Sequence, residues 1–511
     1  MVDERWQAIF EHCLENGILI KRDIKEKLLQ MDDPMSVVKT AEPGFLSLDD
    51  VTLPVKRDNP LVDKPQDLAR VVAPLVESEI VPVLRIHGLH DYDIEDFPML
   101  AKDASSDIEV HWEITGNSVT EGKMQDIRSC FKDRLKRIKQ MILKSGLPSS
   151  VSDIARLQAE RRRYTGFENV ACAVGLVNDP RTTKNGHLIF EIEDNTGSMT
   201  CLIRKDSEDP NPVVESGIMP DNVIGVSGSF ARDGDLFYVD DLHWPHTPIR
   251  QRTHAEQGVS VAFLSDIHVG SKTFLEAQWH KMAQWMREDP LGHTIKYLIL
   301  SGDVVDGVGI YPNQDKELAI KDLYKQYSHF AGLLELLPDW VECILLPGNH
   351  DAVRPAEPQP ALEPELQQEY NTTKFVGNPC EFSLHGVRLL SYHGKSIDDF
   401  VSGMRTISYG KPAKAMKQML KQRHLAPQWG GKTPLSPEPM DNLVISTVPD
   451  IFVTGHVHGH ACINHRGTTL ICSSTWQDQT SYQRMLGFQP QPCILTIVNL
   501  GTHKTASIPF A

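Results

Sequence analysis

The sequence contains no run of 18 apolar residues, so it offers no segment suited to crossing a membrane as a helix. Its first residues, Met1-Val-Asp-Glu-Arg-Trp6, lack the positive-then-apolar order of a secretory leader, and a cytoplasmic location is expected. Cysteine occurs at 13, 130, 172, 201, 343, 380, 462, 472 and 493, scattered and with no Cys-x-x-Cys pair. Neither a disulfide framework nor a zinc ribbon is encoded. Positive charge is also short: 52 Lys and Arg face 68 Asp and Glu, a net charge of −16. That balance ordinarily argues against a polyanionic partner.

What positive charge there is lies in two places. Residues 123–163 hold twelve Lys or Arg against four Asp or Glu, and residues 405–432 hold seven against none. Within the second stretch, Arg405, Lys411, Lys414, Lys417, Lys421 and Arg423 are candidates for a DNA or partner surface. Solvated helix faces would produce the same pattern.

A chain of 511 residues with 40% apolar content has room for several domains, each with a core. Residues 1–30 read as a small helical module: Trp6, Ile9, Phe10, Cys13 and Leu14 form one stripe, and Ile24, Leu28 and Leu29 begin a second. From 31 to 79 periodicity is lost and Pro34, Pro43, Pro54, Pro60 and Pro65 alternate with acids, as in a partly disordered linker. Residues 80–165 form a region ahead of a barrel. It holds strand-like stretches at 80–86 and 108–114, then a helix with an apolar stripe of Phe131, Leu135, Ile138 and Ile142 and a basic back. Over 166–250 the period shortens to 2, with Asn185-Gly186 as a hairpin signal, and short strands in tight succession predict a small closed barrel of the oligonucleotide-binding (OB) type. Its aromatics, Phe190, Phe230, Phe237 and Tyr238, are as easily core as base-stacking, which favours docking a partner over binding DNA. From 258 to 511 strands and helices alternate, predicting a layered α/β domain with the basic insertion 405–432 inside it.

That last region is organised around one stretch, Phe263-Leu-Ser-Asp266-Ile-His268-Val-Gly270-Ser271, an apolar run that ends in an acid, a histidine and a glycine. Four later segments repeat the logic: Leu300-Ser-Gly302-Asp303, Leu346-Pro-Gly348-Asn349-His350-Asp351, Ser391-Tyr-His393-Gly394 and Val453-Thr-Gly455-His456-Val-His458-Gly459. The candidate ligands are Asp266, His268, Asp303, Asn349, His393, His456 and His458. Carboxylate, imidazole and amide oxygen together suit manganese, iron or zinc, whereas magnesium would want mostly oxygen. Hydrolysis of a phosphodiester gains most from two cations about 3.5 to 4 Å apart, which cancel phosphate charge and acidify a water. Strand alternation would let Asp266/His268 and His456/His458 each point at one centre. Any one of these histidines alone would be an ordinary core or surface residue; the series of strand ends carries the reading.

Asp-x-His, Gly-Asp, Gly-Asn-His-Asp, His-Gly and Gly-His-x-His in this order resemble the calcineurin-like metallophosphoesterases, which implies a two-layer β-sandwich flanked by helices. Ser265-Asp-Ile-His-Val-Gly-Ser271, Gly302-Asp-Val-Val-Asp-Gly-Val-Gly-Ile-Tyr-Pro312, Met419-Leu-Lys-Gln-Arg-His-Leu-Ala-Pro427 and Pro449-Asp-Ile-Phe-Val-Thr-Gly-His456 narrow the resemblance to the small, exonuclease subunits of archaeal D-family DNA polymerases. The resemblance covers most of residues 80–511. It implies two divalent metal ions, manganese first, with iron or zinc fitting the same ligands. Asp303 would bridge them, with Asp266, His268 and His458 on one ion and Asn349, His393 and His456 on the other. His350 would serve the leaving 3′ oxygen, with Asp351 orienting its ring, while the role of Asp306 stays open. The implied activity is 3′ to 5′ removal of nucleotides from mismatched or single-stranded DNA ends, proofreading for a large catalytic subunit that carries the synthesis site. The barrel, the 405–432 insertion and residues 481–490 are the docking candidates, and a sliding-clamp contact is left open. A stand-alone repair nuclease or phosphodiesterase and a non-catalytic assembly subunit are the alternatives.

Overall fold

A computed structural model of the chain describes residues 92–511, apart from 167–168, 206–215, 233–234 and 486, and two short strands upstream. Met1–Ser78 and Glu79–Ala511 are separate compact units. In the first, β1 (Ile18–Ile20) pairs in parallel with β2 (Gly44–Leu46), so a strand falls inside the stretch read as linker. The helices expected within 1–30 and the strand expected at 80–86 lie outside the described residues.

The second unit is mixed α/β. Its first strand, β3 (Ile108–Trp112), is followed by helix α1 (Met124–Leu143). The Asp126 carboxylate reaches back to accept a hydrogen bond from the Lys123 amide at 3.0 Å, starting the helix. Leu135, Ile138 and Ile142, spaced three and four apart, bury one face of α1 against Val174, Leu176 and Val223.

Those last three belong to a closed five-stranded barrel made of β4 (Ala171–Thr182), β5 (Leu188–Glu193), β6 (Ser198–Ile203), β7 (Val223–Phe230) and β8 (Phe237–His243). Alternation along β5 is clear: Leu188, Phe190 and Ile192 are buried and the residues between them are not. Phe190, Phe230 and Phe237 are core, and Tyr238 is half-buried beneath the Arg204 guanidinium, 5.0 Å from its ring.

Two six-stranded sheets make up the rest. The first, in the order β12-β11-β10-β9-β18-β19, contains β9 (Ser260–Leu264), β10 (Ile295–Ser301), β11 (Glu342–Leu346), β12 (Thr373–Phe375), β18 (Ile494–Asn499) and β19 (Thr505–Pro509). The second, in the order β16-β17-β15-β14-β13-β3, contains β13 (Cys380–Leu384), β14 (Val387–Ser391), β15 (Ile451–Thr454), β16 (His460–His465) and β17 (Thr468–Ser473). Its edge strand β3 pairs antiparallel with β13. The region read as preceding the barrel therefore contributes to a sheet whose other strands lie far downstream, a pairing that local periodicity does not reveal.

Each central strand faces two cores, which is why its sequence is a continuous apolar run. In β9, Val261 and Phe263 join Tyr297, Ile299, Phe382, Leu389, Ile451 and Val453 between the sheets. Ala262 and Leu264 point the other way, onto Trp279, Met282 and Met286 of α2 (Glu276–Glu288) and Tyr327 and Phe330 of α3 (Leu323–Leu334). Beyond the second sheet, Phe452 and Leu470 pack on Phe400 of α4 (Ile397–Gly403) and Met416, Met419 and Leu420 of α5 (Pro412–Gln422). Among the described residues no helix is long and apolar enough to cross a membrane, and every described cysteine is free and buried.

Candidate metal centre

The seven candidate ligands sit just beyond the ends of β9, β10, β11, β14 and β15, and their backbone is unusual. Asp266, His268, Asp303, His456 and His458 all have positive φ, between 52° and 67°. Non-glycine residues in that region cost roughly 1–3 kcal/mol each and persist where the surroundings over-determine them. Here the surroundings do. Ile267 and Val457, between the paired ligands, are anchored in the apolar cores, the Asp266 amide donates to the Gly302 carbonyl at 2.9 Å, and the His456 amide donates to Asp266 Oδ2 at 2.8 Å. The i and i+2 pairs thus converge through left-handed turns with an apolar anchor between them, not through alternation along a strand. Two glycines leave room for the crossing: a Cβ on Gly302 (φ +92°) would lie 2.6 Å from His393 Nδ1, and one on Gly455 would lie 2.5 Å from Asp266 Oδ2.

The side chains meet in two adjoining groups. In the first, His458 Nε2 lies 3.1 Å from His268 Nε2 and 3.5 Å from Asp266 Oδ1. In the second, His393 Nε2 lies 3.2 Å from both Asp303 Oδ2 and Asn349 Oδ1, and Asp303, His393 and His456 offer donor atoms all within 4.8 Å of one another. Each imidazole is gripped on its other nitrogen from outside: His268 Nδ1 by Asp306 (3.1 Å), His458 Nδ1 by Gln483 (2.9 Å), His393 Nδ1 by the Ser301 carbonyl (2.8 Å) and His456 Nε2 by Asp398 (3.2 Å). An outer partner on one ring nitrogen with the other turned inward is how proteins orient histidine toward a metal. Asp266 Oδ1 is buried and has no hydrogen-bond partner. The donor set, the inward-facing nitrogens and this unmatched carboxylate oxygen fit divalent cations.

Electrostatics agree. Burial, with Asp303 alongside, pushes the Asp266 carboxyl up to about 6. Burial would also raise Asp303, but His393 and His350 outweigh it and hold that carboxyl well below its ordinary range. Burial and the facing His268 hold His458 well below the usual imidazole value. Two acids and several imidazoles share one dry volume, and a cation would relieve both the acid repulsion and the nitrogen-to-nitrogen contact.

His350 borders the same volume. Its ring packs edge-on to His268 with centroids 4.8 Å apart, and its Nδ1 lies 2.8 Å from the Asp306 carbonyl, so Nε2 is the ring nitrogen left uncommitted. Asp351 does not orient that ring, contrary to the sequence-based expectation. Its Oδ2 accepts the amides of Asp303 and Gly348, both at 2.8 Å, and its Oδ1 accepts the Tyr327 hydroxyl at 3.1 Å. It is committed to shaping the turns that carry Asp303 and Asn349. Asp306, whose role the sequence left open, steadies the His268 ring and is itself held by Gln314 Nε2 at 2.9 Å. Asp398 and Gln483 were missed because neither lies in a strand-end motif. Asp398 is the only acid of α4 that reaches a candidate ligand among the described contacts, and a sequence signal for it would have been an acid soon after His393-Gly394.

The basic stretches divide. Arg405 and Lys411 are exposed, and Lys414, Lys417 and Lys421 are half-buried, with Lys421 Nζ 4.9 Å from the Trp244 ring centre. Arg423 is not a surface residue at all. It caps α5 in a left-handed conformation (φ 57°) and turns inward, donating through Nε to the Ile445 carbonyl at 2.8 Å and through Nη2 to the Ser446 carbonyl at 2.5 Å. In the first stretch, Arg134 of α1 is 1% exposed and donates through Nε to Asp441 Oδ2 at 2.6 Å.

Comparison with known proteins places the chain. It is 33% identical over 498 residues to the DNA polymerase II small subunit of Methanothermobacter thermautotrophicus, spanning 96% of this chain and 97% of that one. The chain belongs to the archaeal DNA polymerase II small subunit family. Further members include those of Methanocaldococcus jannaschii, 36% identical over 78% of this chain and 68% of that one, and Halobacterium salinarum, 38% identical over 77% of each. The family model for the DNA polymerase alpha/epsilon B subunits matches residues 261–462, a span that contains all seven candidate ligands. Among solved structures, an archaeal phosphodiesterase aligns with 49% of this chain and 99% of its own at 11% identity and a TM-score of 0.25, too distant to bear on activity.

Proposed function

We propose that this DNA polymerase II small subunit is a metal-dependent 3′ to 5′ exonuclease that proofreads DNA ends for a separate large catalytic subunit. One observation carries the reading: seven side chains from five strand ends gather into two adjoining groups, each imidazole held by an outer partner and one buried carboxylate oxygen left without a hydrogen bond.

Asp266, His268 and His458 would hold one divalent ion, Asn349, His393 and His456 a second, and Asp303 would face both. Manganese suits this mixture best, with iron or zinc close behind. Bound there, such ions would neutralise phosphate charge and make a water acidic enough to attack phosphorus near neutral pH. The chain itself contributes orientation and proton handling. Asp351 fixes the turns bearing Asp303 and Asn349. His350, held through Nδ1 by the Asp306 carbonyl, presents Nε2 to the departing 3′ oxygen and donates a hydrogen bond to it when protonated.

The barrel is read as an OB-type fold used for docking, because the aromatics that could stack bases are core or covered. DNA would approach over Arg405 and Lys411, which flank Tyr409. The Tyr409 hydroxyl donates to Asp398 at 2.9 Å, and Asp398 contacts His456. That chain of contacts ties the exposed basic segment to the metal centre.

Asp303→Ala and His350→Ala test the proposal. Each is expected to abolish manganese-dependent degradation of a 3′ end while leaving association with the large subunit intact. Degradation at the wild-type rate in either variant would remove the mechanism, and a wild-type chain that binds the large subunit yet degrades nothing would favour a purely structural subunit.

A further inference from the structure

Beside the candidate centre, and sharing His350 with it, lies a cavity of about 420 Å³. Its walls are mainly aliphatic: Val308 and Ile310 from the loop after Asp306, Leu323 at the start of α3, and Val353, Pro360 and Ala361 from the segment after Asp351. Val308 and Ile310 are 48% and 40% exposed, large apolar side chains left open to solvent on the rim. The volume lies in the lower part of the range of roughly 300–1,000 Å³ found for small-molecule sites.

Most polar groups around this cavity are already committed, His350 Nε2 and the Glu363 carboxylate being the exceptions. Arg354 donates through Nε to the Pro358 carbonyl at 2.9 Å and through Nη1 to Ser118 Oγ at 2.8 Å, and its Nη2 lies 3.3 Å from Glu438. Asp351 is committed to backbone amides and Tyr327. Gly307 exchanges both its backbone groups with the Gln326 amide, at 2.9 Å and 3.2 Å. The one other charged wall residue, Glu363, is exposed at the mouth. A cavity built this way binds a flat apolar face and has little means of reading the hydrogen-bonding edge of what it binds.

We propose that this cavity receives the base of the nucleotide being removed. The proposal rests on the exonuclease reading above and names the part of the substrate that the metal centre does not hold. His350 is common to both sites, so a phosphodiester at the metals places the attached nucleoside within reach of these walls. Base surfaces are apolar on both faces, and burying one against aliphatic or ring surfaces is favourable whatever the base. Two consequences follow from the chemistry of the walls. All four bases are accepted with similar efficiency, because Arg354 and Asp351 are committed within the protein, His350 Nε2 is reserved for the leaving oxygen and Glu363 stands exposed at the mouth, so none of them is placed to read a base edge. A base enters only when it has left the duplex, since a paired base has its edge held by its partner and its faces covered by stacked neighbours, so occupancy of the cavity favours frayed and mismatched ends.

The test uses the full chain copurified with the large polymerase subunit, manganese, and single-stranded oligonucleotides that end in a normal nucleotide or in an abasic one. The wild type is expected to remove the base-bearing nucleotide about tenfold to a hundredfold faster than the abasic one. The four bases are expected to differ among themselves by only about fivefold or less. Ile310→Asp, which puts a charge into the wall, is expected to bring the base-bearing to abasic ratio close to one. Val308→Asp, at the more exposed rim position, is the second variant should Ile310→Asp lower the melting temperature. Equal rates on the two ends in the wild type would overturn the base site and leave the exonuclease standing. So would variants that slow both substrates alike, or that weaken association with the large subunit without changing the ratio, which would mark the cavity as a protein contact. Absence of manganese-dependent cleavage of either substrate, equal to an Asp303→Ala background, would remove the exonuclease reading and this inference with it.

Discussion

Two buried clusters in this subunit are built from the same residue types and do opposite things. Around Arg134, Asp441 and His424 both carboxylate oxygens and both ring nitrogens are matched. Arg134 donates to Asp441 Oδ2 at 2.6 Å, the Pro427 carbonyl at 2.5 Å and the Asp221 carbonyl at 3.1 Å. His424 Nε2 lies 3.0 Å from Asp441 Oδ2, while the ring's Nδ1 accepts the Ala426 amide at 3.1 Å and Asp441 Oδ1 accepts the Leu443 amide at 3.1 Å. That cluster pins α1 to the segment after α5 and leaves no acid oxygen or ring nitrogen for a metal. Around Asp266 and Asp303, by contrast, ring nitrogen faces ring nitrogen, one carboxylate oxygen has no partner, and five non-glycine residues hold strained backbone. Buried histidines and acids thus become a site where the protein leaves them unsatisfied and spends backbone strain to keep them so.

The largest expected difference comes from deleting one acid in each cluster. Asp303→Ala is expected to lower manganese-dependent 3′ cleavage by about a thousandfold or more while the chain keeps its fold, because beyond the His350 amide it accepts at 2.7 Å and the His393 ring the carboxylate carries no part of the core. Asp441→Ala is expected to lower folding stability by about 3–5 kcal/mol, read by denaturant unfolding, because it strands the Arg134 guanidinium in the interior. A stable Asp441→Ala protein, or an unfolded Asp303→Ala one, would erase the contrast. Asp398→Asn weakens the outer grip on His456 together with the carboxylate's contacts to Lys395 and Tyr409, and a manganese requirement raised by about 10- to 100-fold is expected in a titration of activity against metal. An unchanged metal titration would make Asp398 a packing residue.

The matched cluster should also show itself through pH. Burial, reinforced by Arg134, holds the His424 ring down to about 4 against 6.5 in the unfolded chain, with Asp441 pulling the other way and Arg137 nearby adding to the depression. Between those values the unfolded chain binds a proton that the folded one refuses. Stability is therefore fully present above the unfolded value and falls as pH drops through the window, by at most about 1.4 kcal/mol per pH unit from this ring. His424→Gln should flatten that slope in unfolding curves; an identical slope would place the titration elsewhere. The smallest effect belongs to the rim: Arg405→Ala with Lys411→Ala is expected to weaken DNA binding modestly and to lower its salt dependence by about one to two counterions.

How much of this was legible in the sequence follows from which signals are local. The candidate ligands stood out because each sits where an apolar run stops near glycine, and the barrel and layered domain stood out through period. The left-handed turns did not, since Ile267 and Val457 read as ordinary strand residues until their burial shows that they anchor the turn. Arg423 was misread as surface because a cation at a helix end looks solvated in sequence, and only the carbonyls of Ile445 and Ser446 explain why it turns inward. Asp351 stands next to His350 in the chain but bonds the amides of Asp303 and Gly348, so adjacency in sequence misassigned its partner. Gln483 and the pairing of β3 with β13 depend on contacts between distant segments, which no local pattern carries, and the one local hint to Asp398 is its place four residues after Gly394.

Counting manganese bound per folded chain after gel filtration, in the wild type, Asp303→Ala and His424→Gln, tests the two-ion centre most directly. Two ions are expected in the wild type and in His424→Gln, and loss of at least one in Asp303→Ala. A wild-type chain that retains no ion, or an Asp303→Ala chain that retains as many as the wild type, would contradict it.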